Sequence, residues 1–150
     1  MAFQSVWYYS DIPEDVVGIL EKDLTEKFDD QMGDSRLMGD ALNKDKRDSK
    51  NAWVPSSHWL GGFMWHYIER ANRENFLYDL HCIDGESMQY TQYGPGQFYG
   101  WHNDSGLACH YKPASVGNRA EGRAQDFVNE NTELVRKLSF VLQLSDPDDY

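Results

Sequence analysis

The sequence predicts an α+β domain, two helices followed by a run of strands. Three observations carry that expectation. Apolar residues recur at helical spacing over residues 16–28 and again over 59–71, which gives each segment one stripe to bury. From Phe76 onward the period shortens toward two, the alternation of a half-buried strand. A chain of 150 residues is also long enough for one domain with a core of its own.

The first helix is expected to start near Asp11, where Glu14 follows three residues on and Pro13 sits in the first turn. That is a capping-box pattern with proline where its missing N–H costs nothing. Val16, Val17, Leu20, Leu24 and Phe28 form its stripe. Residues 29–51 lose periodicity, and Lys44, Lys46, Arg47 and Lys50 make a small basic cluster there. A solvated loop is the expectation, with a substrate-contacting flap as the alternative.

The second helix follows Pro55, with apolar pairs at Trp59/Leu60, Phe63/Met64 and Tyr67/Ile68. Pairs four residues apart cover a broad buried face. His58 and His66 lie on or beside it and read as capping or structural histidines, since nothing sets an open carboxylate beside either. Gly61 and Gly62 lower helicity by roughly 1 kcal/mol each and leave room for close packing.

Residues 77–83 alternate loosely, Asp84-Gly85 signals a hairpin, and a second strand spans 86–93, with Gln89, Thr91 and Tyr93 on one face. A third is expected over 97–104 after the Gly94-Pro95-Gly96 turn, and a last one over 134–145. Between them, residues 105–133 are polar and poorly periodic, the composition of a lid or a disordered loop. His110 within it reads as an exposed histidine.

The third strand carries the chemistry. It ends in His102-Asn103-Asp104, and residues i and i+2 of a strand share a face about 6–7 Å apart. An imidazole and a carboxylate so placed supply two of the three ligands of a facial triad for non-haem Fe(II). With 5 His and 25 acidic residues among 150, chance alone yields roughly one His-x-acid pair, so the motif needs its context. That context is Met88-Gln89-Tyr90-Thr91-Gln92-Tyr93, then Phe98-Tyr99-Gly100-Trp101-His102-Asn103-Asp104, then residues 136–147.

Together these segments closely resemble the prolyl-4-hydroxylase-like 2-oxoglutarate/Fe(II) dioxygenases of bacterial and phage type. The resemblance runs from about residue 5 to the end and is densest from residue 77. It implies two N-terminal helices packed on a double-stranded β-helix, or jelly roll. It implies His102 and Asp104 as iron ligands. Tyr93 falls where a tyrosine bonds 2-oxoglutarate in the family, although a core phenol is nearly as good a reading. Gln143 falls where some members carry a second tyrosine facing the cosubstrate. The stretch resembling Arg47-Asp48-Ser49-Lys50-Asn51-Ala52-Trp53-Val54 lies near the active-site mouth in the family.

The implied cofactors are Fe(II), 2-oxoglutarate, O₂ and ascorbate. The implied reaction hydroxylates a C–H bond, a prolyl residue of a protein or peptide being the expected substrate. The family's second iron-binding histidine and its basic 2-oxoglutarate anchor have no counterpart in the sequence. The expectation is therefore a C-terminally truncated dioxygenase domain holding about half the β-helix, with a second chain able to supply the remainder. A catalytically inactive remnant acting as a protein-interaction module is the alternative. A cupin-like metal protein without 2-oxoglutarate is a further, weaker one.

Composition excludes other classes. A formal net charge of −11 offers no basic field for a phosphate backbone, so no nucleic-acid partner is expected. Cys82 and Cys109 lack metal or redox spacing and read as reduced thiols. No apolar segment reaches membrane-spanning length and the first nine residues lack a signal-peptide pattern. A soluble protein in the cytoplasm, the host's if phage-encoded, is the expectation.

Overall fold

The computed structural model describes residues 7–37, 42–55, 57–80, 83, 87–102, 110–111, 134–146 and 148. Within them the architecture is α+β, two helices and small antiparallel sheets. Helix α1 spans Glu14–Phe28 and a short 3₁₀ turn follows at Asp29–Gln31. Three strands come next: β1 (Gly33–Asp34), β2 (Arg47–Asp48) and β3 (Lys50–Pro55). Helix α2 (Trp59–Ala71) runs into a π-type turn at Asn72–Phe76. Strands β4 (Ser87–Gln92), β5 (Phe98–Tyr99), β6 (His110–Tyr111) and β7 (Leu134–Val135) complete the order.

The main sheet runs β1-β3-β4, with Ala52 opposite Tyr90 and Val54 opposite Met88. Period-2 alternation turns Ala52, Val54 and Met88 toward the helices and leaves Trp53 outside. Leu20, Leu24 and Phe28 of α1 and Leu60 and Met64 of α2 close the core against that face. Burying a leucine such as Leu20, which is 0 % exposed, contributes about 1.5–3 kcal/mol. Leu142 and Leu144 pack on the same core.

The two helices are also joined through polar groups. His58 is the N-cap of α2, and its Nδ1 accepts the Leu60 N–H at 3.3 Å. Its Nε2 lies 2.9 Å from Asp23 Oδ2 on α1, which also accepts from Trp59 Nε1 at 2.8 Å. The capping reading of His58 is thereby borne out, but the expectation that no carboxylate stands beside it is corrected by Asp23, and His66 is exposed against Tyr67. A hydrogen bond from Lys27, helped by Trp59 and the charge of Lys27, holds the Asp23 carboxyl below its ordinary value against the opposing effect of desolvation.

Several expectations are corrected. Helix α1 starts at Glu14, with Pro13 in the N-cap position and no side-chain cap. The stretch 29–51 is not one loop, because it contributes β1, β2 and the start of β3. Residues 77–80 form no strand. The Asn72 side chain donates to the Tyr78 carbonyl at 2.7 Å and accepts its N–H at 2.8 Å, taking both groups a ladder would use. Leu77 in the left-handed region, φ 59°, bends the chain just before. Of residues 134–145 only Leu134–Val135 is a strand, paired with β6. The Asp84-Gly85 turn lies outside the described residues. No described helix is long and apolar enough to cross a membrane.

Candidate functional site

The candidate site begins at the turn leading into β5. Gly94-Pro95-Gly96-Gln97 closes with the Gln97 N–H donating to the Gly94 carbonyl at 3.0 Å, and Gly96 adopts φ +77°. Proline second and glycine third are what a type II turn requires, since only the third residue needs positive φ. Gln97 ties the turn down, accepting the Gly94 N–H at 2.7 Å and donating to Asp48 Oδ1 at 3.2 Å.

Beyond the turn, β5 pairs with β2, Phe98 opposite Asp48 and Tyr99 opposite Arg47. The pairing extends one residue, with the Gly100 N–H donating to the Lys46 carbonyl at 2.8 Å. A Cβ at Gly100 would stand 3.3 Å from that oxygen, so glycine permits the close approach. Strand geometry ends there: Trp101 and His102 are irregular and exposed. The expected strand over 97–104 is thus two residues long within the described part.

Two contacts bear on the orientation of the His102 ring. Its ring stacks on Tyr99, centroids 3.8 Å apart and planes 22° from parallel. Its Nδ1 lies 2.9 Å from the Gly100 carbonyl. A carbonyl only accepts, so Nδ1 carries the proton and the lone pair of the neutral ring is on Nε2.

Beneath this lies a group that the basic cluster of residues 44–50 suggests is solvated. Arg47 is 5 % exposed. Its Nε donates to Ser49 Oγ at 3.0 Å, its Nη2 donates to Gln89 Oε1 at 3.0 Å, and its guanidinium sits 4.5 Å from the Tyr99 ring centroid. The buried Ser49 hydroxyl in turn donates to Ser35 Oγ at 2.8 Å. Lys44 does stay at the surface, near Asp34 and Asp48. The sequence signal for Arg47 is Arg47-x-Ser49-x-Asn51, polar residues in strand register with Ala52 and Val54 on the opposite parity.

Asp104 lies outside the described residues. Tyr93 is 41 % exposed. Gln143 donates to Ser145 Oγ at 3.0 Å. Neither Tyr93 nor Gln143 is brought into hydrogen-bond contact with His102. Among the described residues, no three His, Cys, Asp or Glu side chains gather as a metal site. A groove of about 450 Å³ opens on the sheet, lined by Gln31, Asp34, Arg36, Asn51, Trp53 and Gln89 among others. Gln89 links it to Arg47. No family model, curated protein or solved structure matches the chain.

Proposed function

We propose that this chain supplies His102 and Asp104 to the Fe(II) centre of a 2-oxoglutarate-dependent dioxygenase on a double-stranded β-helix. Its substrate is a C–H bond, a prolyl residue of a protein or peptide being the class favoured. The observation that carries this reading is the state of the His102 ring. The Gly100 carbonyl holds the Nδ1 proton, the outer-partner arrangement found for metal-ligating histidines. A carboxylate follows two residues later.

Of the two proposed ligands, His102 lies among the described residues. When bound, the iron supplies O₂ activation coupled to oxidative decarboxylation of 2-oxoglutarate to succinate and CO₂. His102 and Asp104 would hold the ion, Tyr99 and Gly100 orient the imidazole, and the Tyr93 hydroxyl would donate a hydrogen bond to the cosubstrate. Gln143 contributes a second polar contact once its amide leaves Ser145.

The test is succinate formation with Fe(II), 2-oxoglutarate, ascorbate and a proline-containing peptide, beside Co(II)-induced broadening of imidazole NMR signals. The reading expects His102 to broaden first, and any turnover to vanish in His102→Ala. Broadening confined to His58 or His66, or turnover that survives His102→Ala, would sink it. One observation favours a second reading, a non-catalytic interaction module. Phe98 and Trp101 are 44 % and 106 % exposed, aromatic surface of the kind binding partners cover. Peptide capture without metal dependence or succinate would favour that module.

A further inference from the structure

Two tethers of the His102 ring lead back to the same dipeptide, Lys46-Arg47. One runs through the backbone. The Nδ1 proton of His102 is held by the Gly100 carbonyl at 2.9 Å, and Gly100 is held by the Lys46 carbonyl at 2.8 Å. The other runs through side chains, from the His102 ring to the Tyr99 ring at 3.8 Å and on to the Arg47 guanidinium at 4.5 Å.

The far end of the second path is rigid for a stated reason. A guanidinium is planar and presents its N–H groups as a fixed fork, so bonds at two of its nitrogens fix its plane. Here the two acceptors, Ser49 Oγ and Gln89 Oε1, come from different parts of the fold, the segment after β2 and strand β4. Ser49 is itself set by Ser35. A flat cation so held is a platform on which a phenol ring settles by cation–π attraction. The aromatic ring then becomes the platform for the imidazole. The described partners of Arg47, namely Ser49, Gln89 and the Tyr99 ring, are all neutral.

We infer that Arg47 is a positioning residue for His102, acting through Tyr99 to hold the imidazole in its Nδ1–H form. That this positioning serves metal binding rests on the reading proposed above. The positioning itself does not.

Nitrogen NMR of the imidazole rings of the metal-free protein tests it, because the tautomer of His102 is read directly. The protein is expected to hold His102 largely as the Nδ1–H tautomer. Tyr99→Leu and Arg47→Met are each expected to shift it toward Nε2–H and to weaken Co(II) binding about tenfold, the loss typical when an outer partner of a ligating histidine is removed. Arg47→Lys keeps the charge but loses the planar fork, and is expected to behave like Arg47→Met. Tyr99→Phe keeps the ring and is expected to match the parent. Signals of His58, anchored in the helical layer, report whether each variant is folded. If Arg47→Met and Arg47→Lys fail to fold, Gln89→Ala decides the matter. It frees one of the two guanidinium anchors at an exposed side chain, and a smaller shift in the same direction is expected. An unchanged tautomer in folded Tyr99→Leu overturns the inference. A shift in Tyr99→Leu with none in folded Arg47 or Gln89 variants confines the role to Tyr99 and overturns the assignment to Arg47. Absence of Co(II) broadening at His102 in the parent would sink the iron reading while the tautomer result stands by itself.

Discussion

His58 Nε2 sits 2.9 Å from Asp23 Oδ2, and this contact joins the start of the second helix to the middle of the first. The same imidazole caps α2 through Nδ1. One ring thus does two jobs, satisfying an orphan helix N–H and bridging two elements. His58→Ala is expected to lower stability by about 1 kcal/mol for the cap alone, with a further loss from the bridge. His58→Asn restores a capping acceptor and is expected to recover the first part but not the second. Urea denaturation of the three proteins checks this, and equal stability of His58→Ala and the parent would refute it.

Asp23 gives the fold an acid-sensitive contact. Its folded pKa is lowered from 3.8, first by the Lys27 hydrogen bond. A lowered carboxyl contributes stability above its unfolded value, and that contribution is lost as pH falls through the folded one. The urea midpoint is expected to fall as pH drops below about 4, and less steeply in Asp23→Asn. Because the group is near solvent, added salt is expected to shrink the difference. Identical acid profiles for parent and Asp23→Asn would contradict the assignment.

Core and surface positions one residue apart on α1 are expected to differ sharply. Leu20 is 0 % exposed and Ile19 is 61 % exposed. Leu20→Ala removes packed methyl groups and leaves a cavity, which costs about 2–5 kcal/mol. Ile19→Ala removes little contact and falls within about 0.5 kcal/mol of the parent. Thermal melts of both variants test the burial pattern, and comparable losses would mean the helix is rotated from this placement.

These three predictions draw on the part of the fold that is legible in the sequence. The stripe Leu20, Leu24, Phe28 and the pairs along α2 are consecutive residues obeying one period, and β4 alternates over six residues. Strands β1 and β2 are two residues long, too short to show a period, and exist because a distant segment pairs with them. Residues 77–80 mislead because their alternation is real while the Asn72 side chain takes the backbone groups of Tyr78. At the site, the turn and His102 are legible as local chemistry. Arg47 is not, since lysines at 44, 46 and 50 disguise a buried strand residue as part of a solvated cluster. Only the pairing with Tyr99 reveals it.

Two glycines near the site separate strain from crowding. Gly96 has φ +77°, and a Cβ added there would meet nothing within 4 Å. Gly96→Ala therefore acts through the backbone alone and is expected to cost about 1 kcal/mol. At Gly100 the obstacle is the Lys46 carbonyl 3.3 Å away. Gly100→Ala is expected to push β5 from β2 and lengthen the tether of His102. Imidazole NMR distinguishes them: Gly100→Ala moves the His102 signals, and Gly96→Ala lowers stability with a smaller effect on that ring. The reverse pattern would show that the turn, not the ladder, sets the ring.

The last prediction concerns Tyr93 and Gln143 under the proposed dioxygenase function. Tyr93 is part exposed, so its phenol can reach a ligand without first breaking a core contact. A neutral hydrogen bond contributes about 0.5–1.5 kcal/mol net. Tyr93→Phe is therefore expected to raise the 2-oxoglutarate KM by up to about tenfold, with kcat little changed, the mark of lost ground-state binding. Gln143→Ala is expected to act more weakly, because its amide already donates to Ser145 and must give up that bond to serve a ligand. Steady-state succinate kinetics over a range of 2-oxoglutarate concentrations separates the two parameters. A fall in kcat at unchanged KM in Tyr93→Phe would place the phenol at the reacting centre instead of at the cosubstrate. A larger KM effect from Gln143→Ala than from Tyr93→Phe would reverse the ranking that their present contacts predict.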